Sequence, residues 1–247
     1  MKKPYLSVII PAYNEAHRLP LTLIDIDRHL SRAPFSYEII VVDNNSKDAT
    51  KEIAQRFASF VDTIRTIECK TQGKGAAVQK GMLEATGDIR LFTDADNATS
   101  IDQFLSMQHY FKEGYDIVIG SRAVSGSILA VPQPWYRRVL GILGNYIIQV
   151  VAVQGIKDTQ CGFKAFSEQA ALAIFPHTTI HRWGFDFETL AVGKYMGFTI
   201  KETPITWTND PDSRVRPTSY LLTLWDAIRV FWRIKTRKYP HHQIHQA

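Results

Sequence analysis

The chain has 247 residues, of which 45% are hydrophobic and 21% charged, and its formal net charge is +5. This balance is ordinary for a globular protein that buries a sizeable core in one large domain or two small ones. The two cysteines, Cys69 and Cys161, have no partners at metal-ligand spacing, which argues against a zinc site and against a disulfide framework. Because no long apolar segment of a signal peptide is present, we expect a reducing, cytosolic setting.

The first half of the chain alternates between predicted strands and predicted helices. Apolar, β-branched runs predict strands at 6–10, 38–42 and 63–67. Helical spacing of apolar residues predicts helices at 19–30, 49–60 and 76–85. We expect the first strand to end at Pro11. Alternation of this kind predicts an α/β fold with a doubly wound, mostly parallel sheet.

Two aspartates follow a fourth predicted strand at 89–92. Asp94 and Asp96 are separated by one residue, so in an extended segment both side chains point the same way. Open α/β sheets bind ligands at this edge, where two carboxylates suit Mg²⁺ or Mn²⁺ held jointly with substrate phosphates. The tripeptide alone favours a plainer alternative, a polar turn whose aspartates cap the next helix.

The second half begins with a predicted helix at 102–113 and a strand at 116–120, which ends in Ser121 and Arg122. Residues 139–156 then carry no charge, and Arg137 and Arg138 stand just before them. Eighteen residues lie at the lower limit for a membrane span. The sequence favours a helix that is buried in the fold or lies in a membrane interface.

The C-terminal part combines loop-like stretches at 157–164 and 182–188, a strand at 199–207 interrupted by Pro204, and a helix at 220–234. One predicted face of this helix is apolar: Leu221, Leu224, Trp225, Ile228, Phe231 and Trp232. The opposite face carries Asp226, Arg229 and Arg233. This pattern is typical of an interfacial helix, and equally of a helix packed on the core with a solvated face.

Positive charge is concentrated near the C-terminus. Residues 214–238 contain seven lysines and arginines and a single acid. This favours an anionic partner, which could be nucleic acid, phospholipid headgroups or a phosphorylated substrate.

Several motifs, taken together, resemble the inverting glycosyltransferases of family 2, which have the GT-A fold. The matching segments are SVIIPAYNE at 7–15, VVDNNS at 41–46, GKGAA at 73–77, DAD at 94–96 and GSR at 120–122. Two further segments, DTQCGFK at 158–164 and RWGFD at 182–186, resemble the dolichyl-phosphate (polyprenyl-phosphate) β-glucosyltransferase branch. Two positions depart from the family pattern, since Asn44 replaces a usual acid and Asn45 a usual glycine.

The resemblance implies a nucleotide-sugar donor and a divalent cation, Mg²⁺ or Mn²⁺. It assigns Asp96 as the direct metal ligand and Asp94 to both metal and ribose. It also places four residues around the base and ribose: Pro11, Tyr13, Glu15 and Asp43. Lys74 could reach a donor phosphate. The plainer alternatives are a packed aromatic ring for Tyr13, a charge at a helix N-terminus for Glu15 and a solvated lysine for Lys74.

The implied acceptor is a polyprenyl phosphate, which is already an anion and needs positive charge more than a base. We expect Arg122 to bind it, with Arg137 or Arg138 as the second choice. Asp158 resembles the family's candidate catalytic acid, as a base or as an acceptor for a sugar hydroxyl. Its plainer alternative is a turn or cap carboxylate. Two further acids are weaker candidates in the same pocket: Asp186 and Glu188.

The predicted function is transfer of glucose from UDP-glucose to a polyprenyl phosphate, with inversion. A GDP-mannose donor and a soluble acceptor are alternatives. A module that binds nucleic acid without turnover is disfavoured, because the Asp94 to Asp96 motif is intact and no nucleic-acid motif is present. We expect one catalytic domain with a donor half at 1–125 and an acceptor and membrane-interface half at 126–247. Since we expect no membrane anchor before the first strand, the surface of the folded domain itself should contact the anionic, cytoplasmic face of a membrane.

Overall fold

The computed structural model describes residues 3–130, 135–208 and 217–240, without the side chains of 135–140 and 217–220. The strands in chain order are β1 (Leu6–Ala12), β2 (Tyr37–Asp43), β3 (Ile64–Glu68), β4 (Ile89–Phe92), β5 (Ile117–Ser121), β6 (Ile128–Leu129), β7 (Lys164–Ser167), β8 (Ile200–Pro204) and β9 (Thr206–Trp207). The short strands β6 and β9 pair with each other, and the others form one central sheet.

Helices cover both faces of the central sheet. They are α1 (Leu19–Leu30), α2 (Thr50–Phe60), α3 (Lys74–Glu84), α4 (Gln103–Met107), α5 (His109–Lys112), α6 (Trp135–Val151), α7 (Glu168–Ile174), α8 (Phe185–Tyr195) and α9 (Pro217–Lys235). Alternate residues of β1 enter opposite cores, Ile9 on one side and Val8 and Ile10 on the other. Two packed layers around an apolar sheet are what the alternating sequence predicts.

The strand order of the sheet is β3-β2-β1-β4-β7-β5-β8, and its pairings are parallel except those of β7. Strand β7 runs antiparallel to both neighbours, so its first residue, Lys164, pairs with Phe92 and with Ile119. The loop that precedes β7 therefore enters at the edge where β4 and β5 end. This single reversed strand brings the second half of the chain to the ligand-binding edge.

The prediction that β1 ends at Pro11 is wrong, because the strand continues to Ala12 and Pro11 pairs with Val42 of β2. The last pair between β1 and β4 is Ile9 with Phe92. Pro11 lies beyond that pair, where the missing N–H removes no hydrogen bond to β4. Proline is therefore tolerated even in a central strand.

The segments read as loops contain regular structure that their composition hid. Lys164 begins β7, and residues 185–188 form the first turn of α8. The predicted helix at 102–113 is broken at Gln108 into α4 and α5. A four-residue strand and a helix start rich in aromatics and acids give too short a periodic signal to identify.

The uncharged stretch at 139–156 does not form one continuous helix, since α6 begins at Trp135 and ends at Val151. Within the part of the chain that the structure describes, no helix is long and apolar enough to cross a membrane. Among the described residues of α6, Ile148 is buried, whereas four apolar side chains are exposed: Ile142, Leu143, Tyr146 and Val150.

Helix α9 exposes most of its predicted apolar face and packs on its neighbours through other residues. Leu221 is 73% exposed, Trp225 66% and Trp232 60%, whereas Asp226 is only 7% exposed. The buried side chains of α9 are small or polar: Thr223, Asp226, Ala227 and Val230. The helix packs against α6 and α8 through this second stripe.

Replacement of Gly81 by alanine should destabilise the protein by about 1–3 kcal/mol, because a helix in contact with the sheet has no room for a methyl group. A Cβ at Gly81 in α3 would lie 2.4 Å from Ile9 Cγ2 and 2.9 Å from Val42 Cγ2. Urea unfolding measures the change. The matched control is Gly144→Ala in α6, where no described atom lies within 4 Å of the added Cβ and the unfolding free energy should not fall. Equal stability of the two variants would contradict this packing.

Candidate active site

The predicted site residues gather at one edge of the sheet, where the parallel strands end. Tyr13 and Glu15 follow β1, Asp43 ends β2, Asp94 and Asp96 follow β4, Arg122 follows β5, and Asp158 lies in the loop that enters before β7. This is the edge at which open α/β sheets bind ligands. The sequence prediction of a common site is thus matched by the topology.

Lys74 and Asp94 form an ion pair at this edge. Lys74 Nζ lies 2.5 Å from Asp94 Oδ1, and also near the rings of Trp183 and Phe185, at 5.5 and 5.6 Å from their centroids. Burial lowers the pKa of Lys74, but the charges of Asp94 and Asp186 outweigh it and leave the pKa raised. The Lys74 ammonium group therefore stays charged, and its ion pair with Asp94 replaces the alternative of a solvated lysine.

The loop before α3 is held close to the segment before α8. Gly75 N donates to His181 O at 2.9 Å, and a Cβ at Gly75 would lie 2.4 Å from Ile180 O. Gly73 has a φ of +128° and donates its N–H to Asn44 Oδ1 at 2.8 Å. These contacts explain the two glycines beside Lys74, because only residues without a side chain allow this approach.

The loop after β2 accommodates the two departures from the family pattern, Asn44 and Asn45, and Asp43 keeps its position. Asn44 donates its amide to the carbonyls of Cys69 and Thr71, which a carboxylate could not do. Asn45 has a φ of +65°, in the left-handed region that asparagine adopts more readily than most residues. Asp43 keeps its place and accepts from Ser46 N at 3.3 Å.

Asp96 lies at the other end of the same turn. Its Oδ1 accepts from Ala98 N at 3.1 Å, and Thr22 of α1 fixes the turn by donating to Ala95 O at 2.7 Å. Burial and the neighbouring charge of Asp94 raise the pKa of Asp96. Two carboxylates that repel each other in a partly buried turn make a suitable place for a cation.

The residues at this turn fit a divalent cation that shares its ligands with a substrate. The residues that the structure describes contain no group of three acid, histidine or cysteine side chains that could hold a metal without help. Mg²⁺ characteristically uses one or two carboxylates plus substrate phosphates, and Asp94 with Asp96 matches that requirement. Gly162 packs against Asp94, since a Cβ there would lie 2.1 Å from Asp94 Oδ2.

Arg122 and Asp158 form a two-pronged ion pair on the other side of the site. Arg122 Nε and Nη2 donate to the two carboxylate oxygens of Asp158 at 2.7 and 2.9 Å, and Arg122 N donates at 2.9 Å. The guanidinium carbon lies 5.4 Å from the Trp207 ring centroid. Burial lowers the pKa of Arg122, but Asp158 outweighs it and the pKa is raised.

The surroundings of Asp158 favour a positioning role over that of a base. Asp158 is buried, which raises its pKa, yet the charge and hydrogen bonds of Arg122 more than compensate and the pKa is lowered. Both of its oxygens already accept hydrogen bonds from Arg122. A carboxylate whose pKa is lowered and whose oxygens are paired with a guanidinium is a weak proton acceptor.

The residues expected around the base and ribose differ in exposure. Tyr13 is exposed and lies directly after β1, whereas Pro11 is buried within the strand. Glu15 is buried and accepts from Arg18 Nε and Nη2 at 2.6 and 2.7 Å. Asp43 is buried at the end of β2. Asp43 and Tyr13 thus remain candidates, with Glu15 held by Arg18.

Two buried acids carry contacts that sequence reasoning did not foresee. Asp186 accepts from Lys164 Nζ at 2.6 Å, and both groups are buried. Glu188 accepts from Thr179 N at 2.9 Å and from Tyr239 Oη at 2.8 Å. Glu188 is therefore a structural acceptor rather than a member of the pocket. In the sequence, both acids follow aromatic residues in a segment read as a loop, and that pattern could not distinguish the role of Asp186 from that of Glu188.

Arg137 and Arg138 lie in the first turns of α6, and their side chains are outside the described residues. Their assignment to the acceptor phosphate stays a prediction.

Comparison with known proteins supports the family resemblance. Residues 7–175 match the family described as Glycosyl transferase family 2. The dolichyl-phosphate beta-glucosyltransferase of Dictyostelium discoideum is 36% identical, over 94% of this chain and 77% of that protein. The human dolichyl-phosphate beta-glucosyltransferase is 33% identical, over 86% of this chain and 70% of that protein.

Solved structures show the same fold. Glucosyl-3-phosphoglycerate synthase from Mycobacterium tuberculosis, in complex with Mn²⁺, UDP-glucose and phosphoglyceric acid, superposes with a TM-score of 0.65 at 19% identity, over 94% of this chain and 79% of that one. The mixed, mostly parallel sheet is thus of the GT-A type. The chain belongs to glycosyl transferase family 2 and is a glycosyltransferase, with the predicted resemblance to dolichyl-phosphate beta-glucosyltransferases confirmed.

Proposed function

We propose that this enzyme transfers glucose from UDP-glucose to a polyprenyl phosphate of the dolichyl type, with inversion at the sugar carbon. The observation that carries the proposal is the placement of two paired cations, Lys74 and Arg122, at the edge that also holds Asp94 and Asp96. The activities for which the sequence relatives are named, at 33 to 36% identity, support the same sugar and acceptor.

The donor end is formed by the loops after β1, β2 and β4. Tyr13 is exposed there for contact with the base, and the carboxylate of Asp43 could accept from ribose hydroxyls or from the uracil N–H. Lys74 lies where the diphosphate would pass, paired with Asp94 until the substrate arrives. Pro11 and Glu15 act behind them, as a strand residue and as the partner of Arg18.

A divalent cation, Mg²⁺ or Mn²⁺, would be held by Asp96 and Asp94 together with the donor diphosphate. When bound, it supplies positive charge for the departing nucleoside diphosphate. Asp96 is the better direct ligand, because Asp94 is already shared with Lys74. Burial and the charge of Asp94 raise the pKa of Asp96, so a cation there also relieves a repulsion within the turn.

The acceptor end is formed by Arg122, which Asp158 orients. A phosphate acceptor is already an anion, so the site must position its oxygen and hold its charge. The guanidinium suits this task because it stays charged and presents several donors in one plane. Asp158 holds two of those donors and leaves the rest of the group to face the phosphate. Arg137 and Arg138 are the second candidates.

The lipid-bearing acceptor requires a membrane surface, and we assign it to the exposed apolar residues of α6 and α9. These helices pack together, and we assign their exposed apolar side chains to one membrane-facing surface: Ile142, Leu143, Tyr146, Val150, Leu221, Trp225, Ile228 and Trp232. Exposed basic residues on α9 and just after it, Arg229, Lys235, Arg237 and Lys238, suit anionic headgroups. The protein would then act at the cytoplasmic face of a membrane.

The defining experiment measures transfer with purified full chain, Mn²⁺ and three donors, namely UDP-glucose, GDP-mannose and UDP-N-acetylglucosamine. Each donor is offered with a short-chain polyprenyl phosphate and with soluble sugar acceptors. We expect a glucosyl lipid from UDP-glucose. Mannosyl lipid alone would place the enzyme among GDP-mannose-dependent transferases, and product only with soluble acceptors would overturn the lipid assignment.

Replacement of Asp96 by asparagine should lower glucosyl transfer by about 100-fold or more, because the cation loses its direct carboxylate ligand. Titration of Mn²⁺ in the presence of UDP should show the same loss as weaker binding. The control is Asp102→Asn, an exposed carboxylate six residues further along, which should keep both properties. Full activity of the Asp96 variant would remove the metal assignment.

Replacement of Arg122 by lysine should raise the acceptor KM and lower kcat/KM by about 10- to 100-fold. A guanidinium can donate to Asp158 and to a phosphate from one planar group, whereas an ammonium group cannot. The KM for UDP-glucose should stay within about twofold.

Replacement of Asp158 by asparagine distinguishes positioning from base catalysis. As a positioning residue, its loss raises the acceptor KM and leaves the shape of the pH profile of kcat unchanged. A base would instead lose its ionisation limb from that profile.

Replacement of Trp225 and Trp232 together by serine should weaken binding to phosphatidylglycerol vesicles by about tenfold or more, because two large apolar side chains no longer enter the lipid. Co-sedimentation measures the effect. Phe60→Ser removes an exposed ring from α2, away from the proposed surface, and should bind vesicles as the wild type does. Equal weakening by both changes would show that general surface hydrophobicity, not this face, is responsible.

A further inference from the structure

Helix α6 has a polar side that faces the active-site loop and an apolar side that faces outward. Asn145 and Gln149 are one turn apart and both contact the loop that carries Asp158. The outward side presents Tyr146 and Val150 on the next positions around the helix. Helix α6 therefore contacts the acceptor-site loop through one face and presents its exposed apolar side chains on the neighbouring face, about 100° further round the helix.

Asn145 holds the loop on both sides of Asp158. Its amide nitrogen donates to Lys157 O at 2.5 Å, and its amide oxygen accepts from Thr159 N and Thr159 Oγ1 at 3.2 and 2.7 Å. Gln149 adds a second donor to Lys157 O at 3.0 Å. Thr159 is fully buried, so without Asn145 its N–H loses this partner where water cannot easily replace it.

The loop is held from the opposite direction by Glu202 of β8. Its carboxylate accepts from Lys157 N at 2.7 Å and from Asp158 N at 3.0 Å. Asp158 Oδ2 in turn accepts from Arg122 Nε at 2.7 Å. The orientation of Arg122 therefore depends on two supports, the edge strand β8 of the central sheet and the helix α6.

These supports differ in how firmly the protein fixes them. Glu202 lies on β8, which pairs along its length with β5. Among the side chains of α6 that the structure describes, Ile148 is buried and Val151 partly buried in the core, while four apolar side chains lie exposed. Elements with few buried apolar contacts are those that open locally at low cost. A lipid surface that covers the exposed side would restrict this helix.

We propose that Asn145 is a positioning residue that couples the seating of α6 on a lipid surface to the orientation of the Arg122 and Asp158 pair. This inference rests on the proposed function and goes beyond it, because the membrane then improves acceptor binding and does more than concentrate the substrate. The donor end should not respond, since Lys74 and Asp94 are held by α3 and the loop after β4.

The test uses the full chain, UDP-glucose and a water-soluble short-chain prenyl phosphate, with and without phosphatidylglycerol vesicles. For the wild type, vesicles should lower the acceptor KM and leave the KM for UDP-glucose unchanged. Asn145→Ala should raise the acceptor KM by about tenfold, which corresponds to about 1.4 kcal/mol. It should also lose the vesicle effect while still sedimenting with the vesicles.

A milder variant and a control keep the result interpretable. Gln149→Ala removes one of the bonds to Lys157 O and should raise the acceptor KM less than Asn145→Ala does. Tyr37→Phe removes one hydrogen bond, to Asp27 at 2.8 Å, at the start of β2 and far from the site. Its acceptor KM should equal that of the wild type. Thermal unfolding of all variants identifies any that lose the fold.

The outcomes separate this inference from the function on which it rests. If the wild type forms no glucosyl lipid, the proposed function fails and the coupling fails with it. If the wild type does form it, and Asn145→Ala keeps the acceptor KM and the vesicle effect, only the coupling is overturned. A parallel rise in the KM values for donor and acceptor would also overturn it, because it would indicate a general loss of structure.

Discussion

The ion pair of Arg122 with Asp158 is the contact on which the acceptor half of the site depends. Asp158 is buried and Arg122 half-buried, and loss of the guanidinium would leave the buried carboxylate without its cation at a large cost in free energy. The pair joins the end of β5 to a loop nearly forty residues further along the chain. That meeting requires β7 to run against its neighbours, because only then does the preceding loop arrive where β4 and β5 end. The reversed strand is thus a condition of the chemistry.

The site has to hold two anionic substrates close together, and its charges are arranged for that task. Lys74 and Arg122 each have a carboxylate partner, which keeps them charged when the site is empty. The buried charge of Asp186 raises the pKa of both, so it lies within reach of the donor end and the acceptor end. Asp186 is itself neutralised by Lys164 at 2.6 Å. An arriving phosphate therefore meets cations that are already oriented, which limits the reorganisation that transfer requires.

The sequence predicted the strand ends that carry the proposed donor residues, and the arrangement of the proposed acceptor residues only in part. Asp43, Asp94 and Asp96 could be placed because each follows an apolar run long enough to identify as a buried strand. The direction of β7 could not be predicted, since four residues carry no signal of the strand's orientation. In α9 the periodicity predicted two faces but could not decide which one packs inward, because hydrophobicity alone would have buried Trp225 and exposed Asp226. It also grouped Arg229 with Asp226, although Arg229 is exposed and Asp226 buried. No local sequence pattern indicated that Glu202 accepts hydrogen bonds from the loop that carries Asp158.

The outward apolar face of α9 is fixed by what the helix buries on its other side. Ala227 and Val230 are small enough to let the helix approach its neighbours, and the following segment is tied to the core by Tyr239, whose hydroxyl donates to Glu188 at 2.8 Å. Rotation of the helix to bury its tryptophans would break this bond and would press large rings into a space shaped for small side chains. Exposure of the apolar stripe is therefore imposed by packing within the protein. An exposed apolar surface of that kind is costly in water, and it is the surface that the proposed function assigns to contact with lipid.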